Sequence, residues 1–120
     1  MIKNFKQFIN EGISLSNVMD ESDDKKGDEK ALLKAIKHVG ASNAKGVEYC
    51  GEISDEFEEN FKKASSFTAE LDFIGDEAEV ALGSVNGINV FTISDGESEW
   101  GYTNKKDFKA LEKSVEIDVD

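Results

Sequence analysis

The sequence contains no proline, one cysteine, one histidine and no long apolar run. The single cysteine, Cys50, excludes an internal disulfide framework and a zinc site built from several cysteines. A membrane-spanning helix needs roughly 18 consecutive apolar residues, and because no stretch approaches that length we expect no membrane association. Without proline, the turns have to be formed by glycine, asparagine and aspartate.

Acidic side chains are abundant and outnumber the basic ones. The 120 residues contain 26 acidic and 14 basic side chains, for a formal net charge of -12 and a pI near 4.5. Because like charges repel, this composition argues against direct binding to nucleic acids or anionic membranes. The length corresponds to one domain that can bury a real hydrophobic core.

The first eleven residues read MIKNFKQFINE, and their apolar positions recur at steps of three and four. This spacing predicts a short amphipathic helix over 1–11. Its apolar stretch is too interrupted for a secretory signal, so we expect a cytoplasmic origin. Residues 12–27 are small, polar or charged, which predicts a flexible acidic linker. The remainder, 28–120, then forms the folded domain.

Within that domain the spacing predicts a helix over 28–39. Asp28 is the expected N-cap, and Gly40 is the expected stop. A loop follows, with a short strand at 47–50.

A second helix is predicted over 55–65, with Ser54 as its cap. Phe57, Phe61 and Ala64 would lie on one face of this helix because they are spaced by three and four residues.

The apolar period then changes to two, which is typical of strands. Strands are predicted at 67–73, 78–82, 88–94 and 98–102. Asn86 and Gly87 form the strongest hairpin signal in the chain, because both residue types tolerate positive φ. Gly75–Asp76 and Asp95–Gly96 are predicted to form the other two turns.

A last helix is predicted to begin at Thr103 or Asn104 and to run through Lys113, with Phe108 and Leu111 inward. Alternating residues at 115–120 predict a terminal edge strand that is protected by its acidic side chains. The predicted fold is therefore α+β: an antiparallel meander of four to five strands with two to three helices.

No set of residues predicts catalysis or the binding of a cofactor or metal ion. His38 and Cys50 are the only candidates for a nucleophile with a base, and neither has a third, orienting group. We expect His38 to be structural at a helix end and Cys50 to be a buried small hydrophobe. Trp100 and Tyr102 share a strand face and are expected in the core, with a partner-binding patch as the alternative.

The acidic surface is the remaining candidate site. Four carboxylates should project from the solvent-facing sides of two adjacent strands: Glu70, Asp72, Glu77 and Glu79. Ordered carboxylates can mimic the charge density of duplex DNA and occupy the groove of a DNA-binding protein. The alternative is that these acids only keep the protein soluble.

The segment MIKNFKQFINE resembles the capsid-targeting peptides of the internal head proteins of T-even-type tailed phages. Those peptides are short N-terminal helices with aromatic residues at this sort of spacing, and they end in a cleavage signal of an aliphatic residue, any residue and glutamate. Here the signal would be Ile9, Asn10 and Glu11, followed by Gly12.

This resemblance implies a delivery route. A scaffold groove would bind the N-terminal helix, the prohead protease would cut after Glu11, and residues 12–120 would remain in the virion interior. The alternative for the same helix is that it packs permanently on the domain. Both readings are left open by the sequence.

Two functions are compatible with these features. In the first, a phage protein in the virion or the host cytoplasm binds and inhibits a basic or DNA-binding host protein, such as a defence enzyme, with Glu70, Asp72, Glu77 and Glu79 as the contacts. In the second, the protein is a structural component of the virion interior without an enzyme target.

Overall fold

The computed structural model describes residues 25–71 and 76–117, with side chains described within 32–68 and 78–117. This part of the chain is a small α+β domain, as predicted. Its helices are α1 (Lys25–His38), α2 (Asp55–Asn60) and α3 (Phe108–Ser114). Its strands are β1 (Val47–Glu52), β2 (Phe61–Leu71), β3 (Asp76–Val85), β4 (Ile88–Ser94) and β5 (Glu99–Asn104). The predicted N-terminal helix, the linker up to residue 24 and the cleavage signal lie outside the described residues.

The five strands form one antiparallel sheet in the order β1-β5-β4-β3-β2. Strands β2 to β5 are a meander, and β1 pairs with β5 at the far side. Strands β1 and β2 are therefore the two edges, and the connection that contains α2 leads from one edge to the other. Among the described helices, none is both long and apolar enough to cross a membrane.

Each face of the sheet contributes to a separate core cluster. On one face, here the α1 face, Leu32 and Ile36 of α1 pack over the strands. Trp100 and Tyr102 are fully buried there, which confirms their predicted place in the core. On the opposite face, here the α3 face, Leu111 belongs to the second cluster, with Phe57 of α2.

Helix α1 begins at Lys25, three residues before the predicted start. Asp28 is thus inside the helix, and the prediction that it is the N-cap is wrong. The prediction for the other end is confirmed: Gly40 has a φ of +82°, and the N–H of Ala41 donates to the Ile36 carbonyl oxygen. These bonds satisfy carbonyls that the last helical turn would otherwise leave unpaired.

Helix α2 is shorter than predicted. It ends at Asn60, and residues 61–65 belong to β2. The apolar spacing there fits a helix, but Phe61 pairs with Val85 and packs into the second cluster from a strand. Ala64 is exposed instead of inward. Sheet pairing thus overrides a helical pattern whose local preference is weak.

The C-terminal region also differs from the prediction. Thr103 and Asn104 are the last residues of β5, and α3 begins at Phe108. Leu111 is buried and Phe108 packs beside it, as predicted. The predicted terminal strand is absent over 115–117; Val115 and Ile117 pack against the second cluster, and 118–120 lie outside the described residues.

The hairpin between β3 and β4 is confirmed. Asn86 and Gly87 have φ values of +52° and +87°. Two successive positive φ values give the turn whose twist matches paired antiparallel strands. Strand β4 has the predicted bounds, and its register with β3 runs from Val85↔Ile88 to Glu79↔Ser94.

Candidate interaction surface

The carboxylates of the meander collect at one end of the sheet. Residues 64–104 contain eight acidic side chains and no lysine or arginine. Seven of them, all except Asp72, lie in or close to the two connections β2–β3 and β4–β5, which are at the same end of the antiparallel sheet. We call this the acidic end; its described acidic residues are Glu70, Asp76, Glu77, Glu79, Asp95, Glu97 and Glu99.

The strand register brings three of the four predicted contact residues together. Glu70 and Glu77 are direct Cα partners, and Glu79 lies two residues further along β3. Because side chains alternate between faces, positions 70, 77 and 79 share the α3 face. Asp72, the fourth predicted contact, lies outside the described residues.

Glu99 is a fourth acidic position on this face, which the sequence reasoning missed. Glu79 pairs with Ser94, and Ser94 pairs with Glu99 on the next strand. The signal was available, because in a strand Glu99 must point away from the face that Trp100 occupies. The row of positions 79, 94 and 99 thus extends the acidic surface across three strands.

The carboxylate of Glu99 is held by a buried group. The Thr92 hydroxyl donates to Oε2 of Glu99 at 2.7 Å, and Thr92 itself is fully buried. The Glu99 carbonyl oxygen accepts from the N–H of Ile53 at 3.0 Å. A hydrogen bond from this buried hydroxyl holds the carboxylate in one direction. It is therefore ordered before any partner binds.

The β4–β5 turn is also internally bonded. Oδ1 of Asp95 accepts the backbone N–H groups of Glu97 and Ser98, both at 2.9 Å. Gly96 supplies the positive φ that the turn requires. The side chain of Glu97 is exposed at the tip. This turn places an additional negative charge at the acidic end.

Lysines collect at the opposite end of the sheet, where the Asn86–Gly87 hairpin lies. Strand β2 begins there and β5 ends there, and both are flanked by exposed lysines. We call this the lysine end; its exposed lysines are Lys37, Lys45, Lys62, Lys63, Lys105, Lys106, Lys109 and Lys113. Acidic residues, including Asp107 and Glu112, also lie among these lysines, so charge of one sign is confined to the acidic end.

His38 and Cys50 do not form a catalytic pair. Nε2 of His38 donates to the Gly83 carbonyl oxygen at 2.7 Å, which ties the end of α1 to β3. Cys50 belongs to the second core cluster and is 2 % exposed. Burial, with a smaller contribution from Glu48, raises the pKa of the Cys50 thiol to about 12. Because the reactive form is the thiolate, this thiol is inert at neutral pH.

The described carboxylates of the acidic end do not form a metal centre. Among residues 25–71 and 76–117, no group of three or more histidine, cysteine, aspartate or glutamate side chains is arranged to hold a metal ion. Its carboxylates are spread over strands spaced roughly 5 Å apart, so they form a surface. Such a surface can attract a cationic partner.

Comparison of this chain with protein-family models, curated proteins and solved structures gives no match. Function must therefore be argued from the site itself, because an α+β fold alone is compatible with many activities.

Proposed function

We propose that this chain is a small phage protein that binds and inhibits a basic host protein through the acidic end of its sheet. The observation that carries the proposal is the clustering of seven described acidic residues, without a lysine or arginine among them, at one end of the meander. Proteins that process or defend against nucleic acid offer the complementary surface, because they contact phosphates with lysine and arginine.

The strand register at the acidic end places two like charges opposite each other, which lowers the free energy of unfolding. Two glutamates directly opposite on neighbouring strands, as at positions 70 and 77, destabilise a sheet by roughly 0.2–1 kcal/mol. Threonine or another neutral residue at either position would avoid that cost. A local rule that is broken without an evident compensating gain is expected at functional surfaces.

The proposed mechanism is steric and electrostatic blocking without a chemical step. The field of the acidic end steers a basic partner toward it and raises the association rate. The anchored carboxylate of Glu99 loses little freedom when it meets a cation, because Thr92 already fixes it. Such binding weakens as salt is added, since screening shortens the range of the attraction.

Delivery in the virion is the second part of the proposal, and it rests on the N-terminal resemblance. The segment 1–11 would address the chain to the forming head, and cleavage after Glu11 would leave Gly12 as the new terminus. Mass spectrometry of purified particles tests this part directly. A packaged chain that retains Met1–Glu11 would contradict it.

Binding is tested by capture from host lysate on the immobilised full chain. The double variant Glu77→Lys/Glu79→Lys should lose the captured basic protein, and duplex DNA should displace that protein from the unaltered chain. The matched control is Glu59→Lys/Glu112→Lys, which makes the same charge change at two exposed helical positions. It should retain the partner.

Activity of the captured protein decides between inhibitor and structural component. Inhibition by the unaltered chain, lost in Glu77→Lys/Glu79→Lys and kept in the control, supports the proposal. A packaged chain that captures no basic protein, or for which both double variants bind alike, would instead support a structural component of the virion interior.

A further inference from the structure

Within the part of the chain that the structure describes, strand β2 is an edge of the sheet with no strand on its outer side. It is the longest of the described strands, with eleven residues, and it pairs only with β3. Residues 62–66 and Thr68 are exposed. The outer backbone N–H and C=O groups of such a strand can pair with another strand. What pairs there depends on the side chains along the edge.

Strand β2 changes charge along its length. Lys62 and Lys63 lie near its start, Glu70 lies near its end, and the residues between them carry no charge. When two identical strands run antiparallel, the start of each meets the end of the other. Two copies of β2 would therefore place lysine beside glutamate at both ends of the contact.

A β-bulge places Lys63 and position 70 on the same face of the sheet. In the pairing with β3, Ser65 is opposite Leu82 and Lys63 is opposite Gly83, so Ala64 is the extra residue. One extra residue shifts the alternation of side chains by one position. As a result Lys63 shares the α3 face with Ser66, Thr68 and position 70. Without the bulge, Lys63 would lie on the other face.

We propose that two copies of this chain associate through β2 to form one continuous sheet, with the two-fold axis at Phe67. In this register, Ser66 lies opposite Thr68 of the second copy, and Lys63 lies opposite Glu70 of the second copy. Phe67 meets its own equivalent at the axis. The contact is self-complementary, as a two-fold interface requires, and it joins five strands from each copy.

The uneven distribution of charge between the two ends favours the same arrangement at longer range. Because the two copies run antiparallel, the acidic end of each lies beside the lysine end of the other. This neighbouring attraction opposes the general repulsion between two chains of net charge -12. This contact would occupy Glu70, whereas Glu79 and Glu99 of the α3 face lie on strands away from β2 and stay open to other partners. The association thus does not depend on the proposed function.

Charge exchange tests the contact, with the dissociation constant of the full chain measured by sedimentation equilibrium. Lys63→Glu and Glu70→Lys should each weaken association by at least about tenfold, because each turns two attractive pairs into repulsive ones. The double variant Lys63→Glu/Glu70→Lys should restore association to within about threefold of the unaltered chain. Lys45→Glu and Glu97→Lys make the same charge changes at exposed positions away from β2, and neither should weaken it tenfold.

The register is tested by disulfide trapping. Ser66 and Thr68 are exposed, so cysteine at either position leaves the core unchanged. A mixture of Ser66→Cys chains and Thr68→Cys chains should form a mixed disulfide dimer faster than either variant forms its own. The buried Cys50 should not interfere.

Several outcomes would overturn the proposal: a chain that stays monomeric at millimolar concentration, a charge-exchange double variant that fails to recover while remaining folded by circular dichroism, or equal disulfide rates in the mixed and unmixed samples.

Discussion

The His38 imidazole at the end of α1 donates from Nε2 to the carbonyl oxygen of Gly83 in β3 at 2.7 Å. Two further side-chain bonds reach the same helix end. Nδ2 of Asn89 donates to the His38 carbonyl oxygen, and Nδ2 of Asn104 donates to the Val39 carbonyl oxygen, both at 3.1 Å. Three neighbouring strands, β3, β4 and β5, thus fix the position of α1 on the sheet.

Loss of the His38 bond should destabilise the domain. Replacing His38 with leucine keeps apolar bulk but removes the donor, so the free energy of unfolding should fall by about 1 kcal/mol. Lys37→Leu is the control at the adjacent exposed position and should change stability by less than about 0.5 kcal/mol. Urea unfolding, followed by fluorescence of the buried Trp100, measures both. Equal stability of the two variants would contradict a structural role for His38.

Gly83 is required by the close approach of β2. A Cβ at this position would lie 2.2 Å from the carbonyl oxygen of Lys62 and 2.8 Å from Cε1 of Phe61. Since a backbone atom cannot move aside easily, Gly83→Ala should cost about 1–3 kcal/mol of stability. Ser84→Ala, one residue further along β3, is the control and should cost less. An unchanged urea midpoint for Gly83→Ala would show that the β2 backbone can move away from the added Cβ without loss of stability.

Local chemistry made part of this fold predictable. The Asn86–Gly87 turn follows from residue types that accept positive φ, and the bounds of β4 follow from that turn and the next. The pairing of β1 with β5 was not predictable, because it joins segments some fifty residues apart and leaves no periodic signal in either one.

Two of the errors in the element assignments share one cause. Residues 61–65 fit a helical spacing, and residues 115–117 fit a strand alternation. In both places the apolar residues reach the same buried cluster from a different backbone conformation. The spacing of apolar residues indicates which of them are buried, whereas tertiary pairing decides whether the backbone there is a helix, a strand or neither.

The candidate site was partly predictable for a related reason. Alternation within β3 puts Glu77 and Glu79 on one face, and the hairpin adds Glu70. The lysine end could not be anticipated, because it requires knowing that α1, β2 and β5 all reach the same end of the sheet.

Alkaline pH should weaken the fold through Cys50. Burial raises the pKa of this thiol from 9.0 to about 12, so between these values the unfolded chain releases a proton that the folded chain keeps. The contribution of this thiol to the free energy of unfolding is fully present below pH 9 and is lost as pH rises toward 12. Over that range the free energy of unfolding should fall by up to about 1.4 kcal/mol per pH unit.

Cys50→Ala isolates this contribution. The alanine variant should lose less stability than the unaltered chain between pH 9 and 10, although its stability at pH 7 is lower because a buried sulfur is missing. Urea unfolding at a series of pH values gives the difference. Parallel pH profiles would show that the thiol titrates alike in both states.

Removing one negative charge from the acidic end should raise the free energy of unfolding. Glu77→Lys replaces a like-charged pair with Glu70 by an opposite-charged one, so the free energy of unfolding should rise by about 0.2–1 kcal/mol at low salt. The gain should shrink in 0.5 M salt because the Debye length there is only a few ångströms. Glu97→Lys makes the same charge change at the exposed turn and has no strand partner, so its gain should be smaller.

The same variant separates misfolding from loss of contact. If Glu77→Lys is more stable and yet binds the captured basic protein less tightly, the carboxylate at this position acts in recognition. If it is more stable and binds equally well, the carboxylate at position 77 does not act in recognition. Unfolding and binding measured on one preparation of the protein decide between these two results.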